Sequence, residues 1–466
     1  MSEPTSLWPG ALLAALASGL IAAPAAGQTL ERVSLAEALE RAEAQHPDLP
    51  VQGARVLRAE ADVRRARAGR YPSGELRTIF GIVNGAQVGE VPDGLPDELA
   101  PLFSTDGQND LLNDLGPFVQ NMIRLDQAIY TFGKINRGIE AAQLGVKAER
   151  VEFERRTDEV RFEVKQIVYG YQLAAQLEDV LGEVEDNFAE ALEQARERLQ
   201  SGSGEVTQSD VLKLEVAKNG FAGRRLELRR RKKESLLAFR RALGLALDAP
   251  VAPEGDRIRA VEVEPLEGPA DGEVALDAPA YRAAALGLEA REEAVAVAQS
   301  RLWPDIFAGV LFEANWALRR DDVQNQFLFD RFNLIRGGPF LGVRWELDFA
   351  TKLAAVAAAK ADAAEQRAQR DRAATGVPLA IERARLKVKE KREALEVAQR
   401  SRKAGRALSF LTAANFRMGI GDAREILEAY GLYARATSEY HRAVFDFNVA
   451  VAELSKALGL PVELGL

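Results

Sequence analysis

The 466-residue chain contains no cysteine. That excludes a disulfide framework, a thiolate nucleophile, a Cys-ligated metal site and an anchor built on an acylated N-terminal cysteine. Histidine stops at two, His46 and His441, and methionine at three. The histidines stand far apart without metal-ligand spacing, and so few soft ligands disfavour a copper-handling path. No metal or other cofactor is therefore expected. Basic residues are outnumbered 61 to 70, for a net charge of −9, which gives no basic surplus for a nucleic-acid partner. Beyond the N-terminal 27 residues no run reaches the ~18–20 apolar residues of a spanning helix. No catalytic constellation is visible, so the chain does not read as an enzyme.

What is present describes a folding, exported chain. Hydrophobic residues make up 47% and charged ones 28%, ordinary proportions for a packed protein. Residues 10–26 (GALLAALASGLIAAPAA) are apolar and end in small residues before Gln28. This is the layout of a secretory signal, expected over 1–27 with cleavage near 25–27. One departure is that the first nine residues carry Glu3 and neither Lys nor Arg.

The rest reads as two copies of one unit. His46-Pro47 through Arg70-Tyr71-Pro72 aligns with Ala278-Pro279 through Leu302-Trp303-Pro304 at an offset of 232. Tyr130-Thr131-Phe132-Gly133-Lys134 follows at an offset of 218, against Asp348-Phe349-Ala350-Thr351-Lys352. Asp210-Val211-Leu212 with Glu425-Ile426-Leu427, and Arg241-Ala242-Leu243-Gly244-Leu245 with Lys456-Ala457-Leu458-Gly459-Leu460, both align at 215. A first repeat over 28–245, a Pro-, Gly- and acid-rich linker over 246–274 and a second repeat over 275–466 are expected. Each repeat reads helix, two strands, long helix, turn, helix. The helices fall at 35–71, 133–199 and 207–244, then at 277–303, 352–417 and 422–459, with a kink at Pro378. A helix over 133–199 is roughly 100 Å long, and the two shorter helices of its repeat sum to about the same length. Stacked end to end they would match it.

Four segments alternate with period two. Over 340–349, Leu341, Val343, Trp345, Leu347 and Phe349 oppose Gly342, Arg344, Glu346 and Asp348. Over 306–318, Ile306, Val310, Phe312 and Trp316 oppose Gly309, Glu313 and Asn315; near 119–129, Val119, Ile123 and Leu125 oppose Gln120, Arg124 and Asp126. Residues 75–84 are the weakest of the four. The length suits a tilted spanning strand, the full charges suit a water-filled lumen, and Tyr130, Trp303, Trp316 and Trp345 suit interfacial girdles. Four strands cannot close a barrel, and an open edge is not tolerated in lipid, so spanning demands oligomerisation. Segments 85–116 and 319–338 would then be outer loops. A soluble sheet can show the same alternation, so a secreted helical scaffold or adhesion protein without a pore is the competing reading. The basic run from Arg224 to Lys233 reads as a solvated helix face.

These features together resemble the TolC-like outer-membrane efflux family, the outer membrane factors. Leu35-Ala36-Glu37-Ala38-Leu39 before His46-Pro47-Asp48-Leu49, the aromatic-Pro helix stops, the Tyr130-Thr131-Phe132-Gly133-Lys134 strand end and the Gly-x5-Asp-Val-Leu turn carry the likeness over about 33–460. The resemblance implies a mainly α fold in which long helical hairpins form a periplasmic α-barrel. Four strands per chain would contribute to a twelve-stranded outer-membrane β-barrel in a homotrimer. It implies a periplasmic adaptor and an inner-membrane pump, of RND or ABC type, that drives export through a passive channel in outer-membrane lipid. By the same likeness Asp210, Glu425 and Glu428 would ring the periplasmic aperture. Ser203, Gly204 and Glu205, with Met418, Gly419 and Ile420, would form the adaptor-docking turns. Arg124, Asp126, Arg344, Glu346 and Asp348 would line the barrel lumen. Phe416 and Gly421 stand where some relatives carry Tyr and Arg, so a gating lock built on those groups is expected to be absent.

Overall fold

The computed structural model describes residues 30–85, 96, 115–201, 206–263, 272–320, 330–418, 420 and 423–460. The expected signal segment and most of both expected outer loops lie outside them. In chain order the elements are β1 (Glu31–Val33), α1 (Leu35–Gln45), α2 (Leu49–Ala68), β2 (Ser73–Asn84), β3 (Leu115–Tyr130), α3 (Lys134–Ser201) and α4 (Gln208–Ala242). They continue with β4 (Val251–Pro253), α5 (Gly272–Asp277), α6 (Pro279–Ser300), β5 (Asp305–Ala317), β6 (Leu334–Arg344), α7 (Phe349–Arg417) and α8 (Ala423–Leu458). The order helix, strand, strand, long helix, helix occurs twice, with long helices of 68 and 69 residues.

Two expectations need correction. The helix expected over 35–71 is broken at His46-Pro47-Asp48, because the residue before a proline is pushed out of the α region. His46 sits at φ −59°, ψ 130°. The strand expected over 340–349 runs instead over Leu334–Arg344. Asp348 caps a helix rather than extending the strand. Its carboxylate accepts from the Thr351 backbone N–H and starts α7 at Phe349. The α7 helix is continuous through Pro378.

The helices stand side by side as one curtain. On one flank of α3 lie α2 and, further along, α4, through Arg150–Glu60 at 2.9 Å, Arg225–Glu185 at 3.0 Å and Arg229–Glu178 at 2.8 Å. In the same way α6 and α8 flank α7, through Arg367–Glu292 at 2.7 Å and Lys387–Glu453 at 2.6 Å. Helix α3 also borders α6 and α8, through Arg137–Glu293 at 3.1 Å and the Phe188–Tyr430 ring pair at 5.5 Å. The curtain therefore runs α2/α4, α3, α6/α8, α7. The antiparallel sheet repeats that order as β2-β3-β5-β6, since each strand continues its own helix.

The end-to-end stacking expected from helix lengths is present, and its joints are alike. Gly244 takes φ +68° and Gly459 φ +66°. In each case the last turn closes with paired bonds, Leu245 N–H to Arg240 O and Gly244 N–H to Arg241 O, then Leu460 N–H to Ser455 O and Gly459 N–H to Lys456 O. This is the Schellman closure, which needs glycine at the left-handed position. It delivers the end of α4 to Gln45 and the end of α8 to Pro279, close enough that a Cβ on either glycine would clash.

The linker is a packed layer on one face of the curtain. Strand β4 pairs in parallel with β1. Asn448, fully buried on α8, accepts from Val261 N–H at 3.0 Å and donates to Arg259 O at 2.7 Å. Ile258 packs with Tyr169 and Val444.

Candidate functional site: an amphipathic sheet and two helical tips

Strand register sorts the sheet into two faces, because directly opposed residues share a side. Leu76 pairs with Ile123, Ile123 with Phe312, and Phe80 with Val119, which pairs with Trp316; Ile306 pairs with Val343 and Ala308 with Leu341. That face is apolar and uncovered: Leu76, Phe80, Leu341 and Val343 are 69%, 75%, 76% and 65% exposed. Among the described residues, no helix of the chain packs over it. Polar groups on this face include the Thr78–Asn121 pair, hydrogen-bonded at 2.9 Å, and Gln127 opposite Ala308 near its end.

The opposite face carries the charge. Arg124 Nε donates to both Asp126 oxygens at 3.0 Å, and Arg344 reaches Asp126 at 3.4 Å. Lys134 pairs with Asp305 at 2.7 Å, and Arg336 with Glu313 at 2.7 Å. Of the five expected lumen residues, Arg124, Asp126 and Arg344 thus come together. Glu346 and Asp348 lie beyond the end of β6.

At the far end of the helices both hairpin tips share one core of Phe188, Val206, Val211, Leu214, Phe416 and Ile426. Phe416 is 1% exposed, and Arg198 donates to its carbonyl at 2.5 Å with the guanidinium 4.4 Å above its ring. A buried ring under a guanidinium serves packing. The two tips handle their carboxylates differently. Asp210 forms a capping box at the start of α4: it accepts from Thr207 N–H at 3.1 Å, and Thr207 Oγ1 accepts from Asp210 N–H at 3.3 Å. Its hydrogen bonds with Thr207 hold the Asp210 carboxyl below its ordinary pKa, helped by Lys213 at 3.3 Å. Glu425 and Glu428, in the first turns of α8, are exposed with no ion pair among the described residues. Met418 and Ile420 are 65% and 76% exposed beside them. Ser203, Gly204, Glu205 and Gly419 lie outside the described residues.

Residues 272–460 match the family model described as outer membrane efflux protein. The match spans the second repeat. Solved structures extend the likeness in fold to the whole chain. The Campylobacter jejuni outer membrane channel CmeC is 15% identical, with 99% of this chain and 95% of that one covered at a TM-score of 0.75. The Vibrio cholerae outer membrane protein VceC is 15% identical, covering 92% and 97% at 0.74. The outer-membrane channel OprN is 19% identical, covering 91% and 89% at 0.72. No curated protein sequence matches the chain. The TolC-like resemblance read from the sequence holds: the second repeat matches the outer membrane efflux protein model, and the whole chain takes the fold of outer-membrane channels.

One feature of the charged face escaped sequence reading. The base of the β5–β6 connection folds back over that face. Phe332 meets Phe118 edge-on at 5.0 Å, Arg320 pairs with Asp330, and Asn315 donates to Arg331 O at 2.8 Å. Asn315 and Glu313 are left 0% and 3% exposed. The signal was faint: Asn315 and Glu313 alternate with apolar neighbours, but nothing in that pattern says a distant segment will cover them.

Proposed function

We propose that the chain is one subunit of a homotrimeric conduit that gives passive exit to substrates driven by an inner-membrane pump. One observation carries this reading: the curtain has free edges at both levels, in the same places. Strand β2 and helices α2/α4 end it on one side, β6 and α7 on the other. An unpaired strand edge in hydrocarbon costs several kcal/mol per orphaned backbone group. Running β2 up and β6 down lets the next copy continue the antiparallel alternation, so three copies close twelve strands without an edge. The apolar face then meets lipid, and Arg124, Asp126 and Arg344 face the lumen.

The helical tips are the inner end of the conduit. Glu425 and Glu428, uncommitted and one turn apart, gather by threefold symmetry into an acidic aperture that favours cations. Asp210 stands at the matching place on the other hairpin but is engaged by its cap. The turns around 203–205 and 418–420 dock a periplasmic adaptor, in a tripartite efflux or type I secretion system with an RND or ABC pump. The bare apolar face speaks against a secreted scaffold, which would be expected to cover it.

Fractionation and planar-bilayer recording test the proposal together. Heat-modifiable trimers in outer-membrane fractions and ion conductance are expected. A monomer extracted without detergent and giving no conductance would overturn it.

A further inference from the structure

A groove of about 890 Å³ runs along the curtain where α4 and α8 flank α3. Its floor is Leu173, Leu177 and Leu181 of α3, and its walls carry guanidinium groups from both sides, Arg224 and Arg231 on α4 and Arg435 and Arg442 on α8. Arg231 is matched by Glu227 at 2.8 Å and Arg435 by Glu439 at 2.9 Å. Arg224 and Arg442 face each other's helix exposed, and neither has a carboxylate partner among the described residues; Arg224 only rides over Phe221, 5.9 Å from the ring centre. An apolar trough between two unmatched cations is a place for an amphipathic anion.

The groove adjoins the linker layer. At about 100° per residue Leu173 lies only about 40° from Tyr169 around α3, and both pack with Ile258 and Val444. Gln172, further round the helix, donates to Glu254 O at 3.2 Å. The next copy does not fill it. The exposed leucines at the free edge of α4, Leu212, Leu226 and Leu237, lie on the far side of that helix from Leu228 and Ser235, which line the groove.

We propose that this groove is a binding site on the channel wall for amphipathic anions, with the apolar body on the α3 floor and the acidic group between Arg224 and Arg442. That the groove lies on a channel wall rests on the conduit reading given above; the binding itself does not. The test uses the intact protein in nanodiscs, with empty nanodiscs as blank. Anilinonaphthalene sulfonate is the anionic probe and phenylnaphthylamine its uncharged counterpart. In Arg224→Gln/Arg442→Gln, anilinonaphthalene sulfonate should bind more than about tenfold more weakly while phenylnaphthylamine is unchanged. Gly431→Leu, which projects into open space at the groove, should weaken both. Equal affinity of the sulfonate for the double variant and the unaltered protein would overturn the assignment, as would a parallel loss of the uncharged probe. Charge-dependent binding by a protein that forms no conducting trimer would leave the site standing and sink the conduit instead.

Discussion

Helices α3 and α7 occupy matching positions in the two repeats and are nearly equal in length, yet they are buried very differently. In α3, 19 residues are buried; in α7, 9. The shorter partners reverse the contrast. Helix α4 buries only Val211, Leu214, Phe239 and Ala242, whereas α8 buries Ile426, Tyr430, Val444, Phe447, Val451 and Leu454 among others. Duplication produced two like units, but joining them in one chain made α3 and α8 interior and left α4 and α7 as edges. Exposed leucines sit on those edges: Leu212, Leu226 and Leu237 on α4, Leu379, Leu386 and Leu408 on α7. In the proposed trimer, each such edge is an interior position awaiting another copy.

This contrast can be broken experimentally. The largest effect is expected in the interior. Phe188→Ala removes a ring that is 0% exposed and packed on Phe221 and Tyr430, and should cost about 3–5 kcal/mol whether or not subunits assemble. Chemical denaturation of the dissociated and assembled protein would measure it. At the edge, Leu226→Ala should cost about 2 kcal/mol in the assembly and nearly nothing in the free chain. A loss of equal size in both would show that α4 has no partner.

The duplication also supplies the register of that edge. Helices α3 and α7 begin at Lys134 and Phe349, α4 and α8 at Gln208 and Ala423, a constant step of 215 residues. The step carries Phe188 to Lys403 and Tyr430 to Glu215, so Lys403 should meet Glu215 of the next copy as Phe188 meets Tyr430. Glu215→Cys with Lys403→Cys, in a chain that has no other cysteine, should give cross-linked trimers with a short bis-maleimide. Only monomers on a denaturing gel would refute this register.

Smaller effects should distinguish the joints and the tips. Gly244→Ala and Gly459→Ala place a Cβ at a left-handed, crowded position and should each cost at least about 1–2 kcal/mol, by roughly the same amount. Unequal losses would mean the two joints differ mechanically. The smallest effect concerns acid. Because the carboxyl of Asp210 is held below its ordinary pKa, the capping stability is complete above about pH 4 and is lost as pH falls through the depressed value. In Asp210→Asn that segment of the acid-unfolding curve should flatten. In reversal-potential measurements, Glu425→Gln/Glu428→Gln should reduce cation preference and Asp210→Asn should leave it nearly unchanged.

Most of the architecture was legible because local signals agreed with one another. The pair Gly244 and Gly459 marked the helix ends, and alternation placed three of the four strands to within a few residues. The fourth strand slipped because Trp345-Glu346-Leu347-Asp348 keeps alternating after the ladder ends. The Asp348 side chain caps a helix there, and capping depends on one hydrogen bond that periodicity does not record. Asp210 was found as a carboxylate at the tip, but its engagement with Thr207 depends on rotamer and distance. The groove and the covering of Asn315 by the 330–333 segment arise between distant parts of the chain, where no single stretch carries the pattern.

The joints at Gly244 and Gly459 have a mechanical consequence. Glu163 of α3 lies 3.8 Å from His46 and 3.9 Å from Arg241, and a Cβ on Gly459 would lie 3.8 Å from Asp158 of α3. Both seams thus fall at one height, where only the two long rods of each subunit run through unbroken. A wall interrupted at a single level is most compliant there. In the proposed conduit, bending and twisting should concentrate at that level, close to where the linker layer packs on α3.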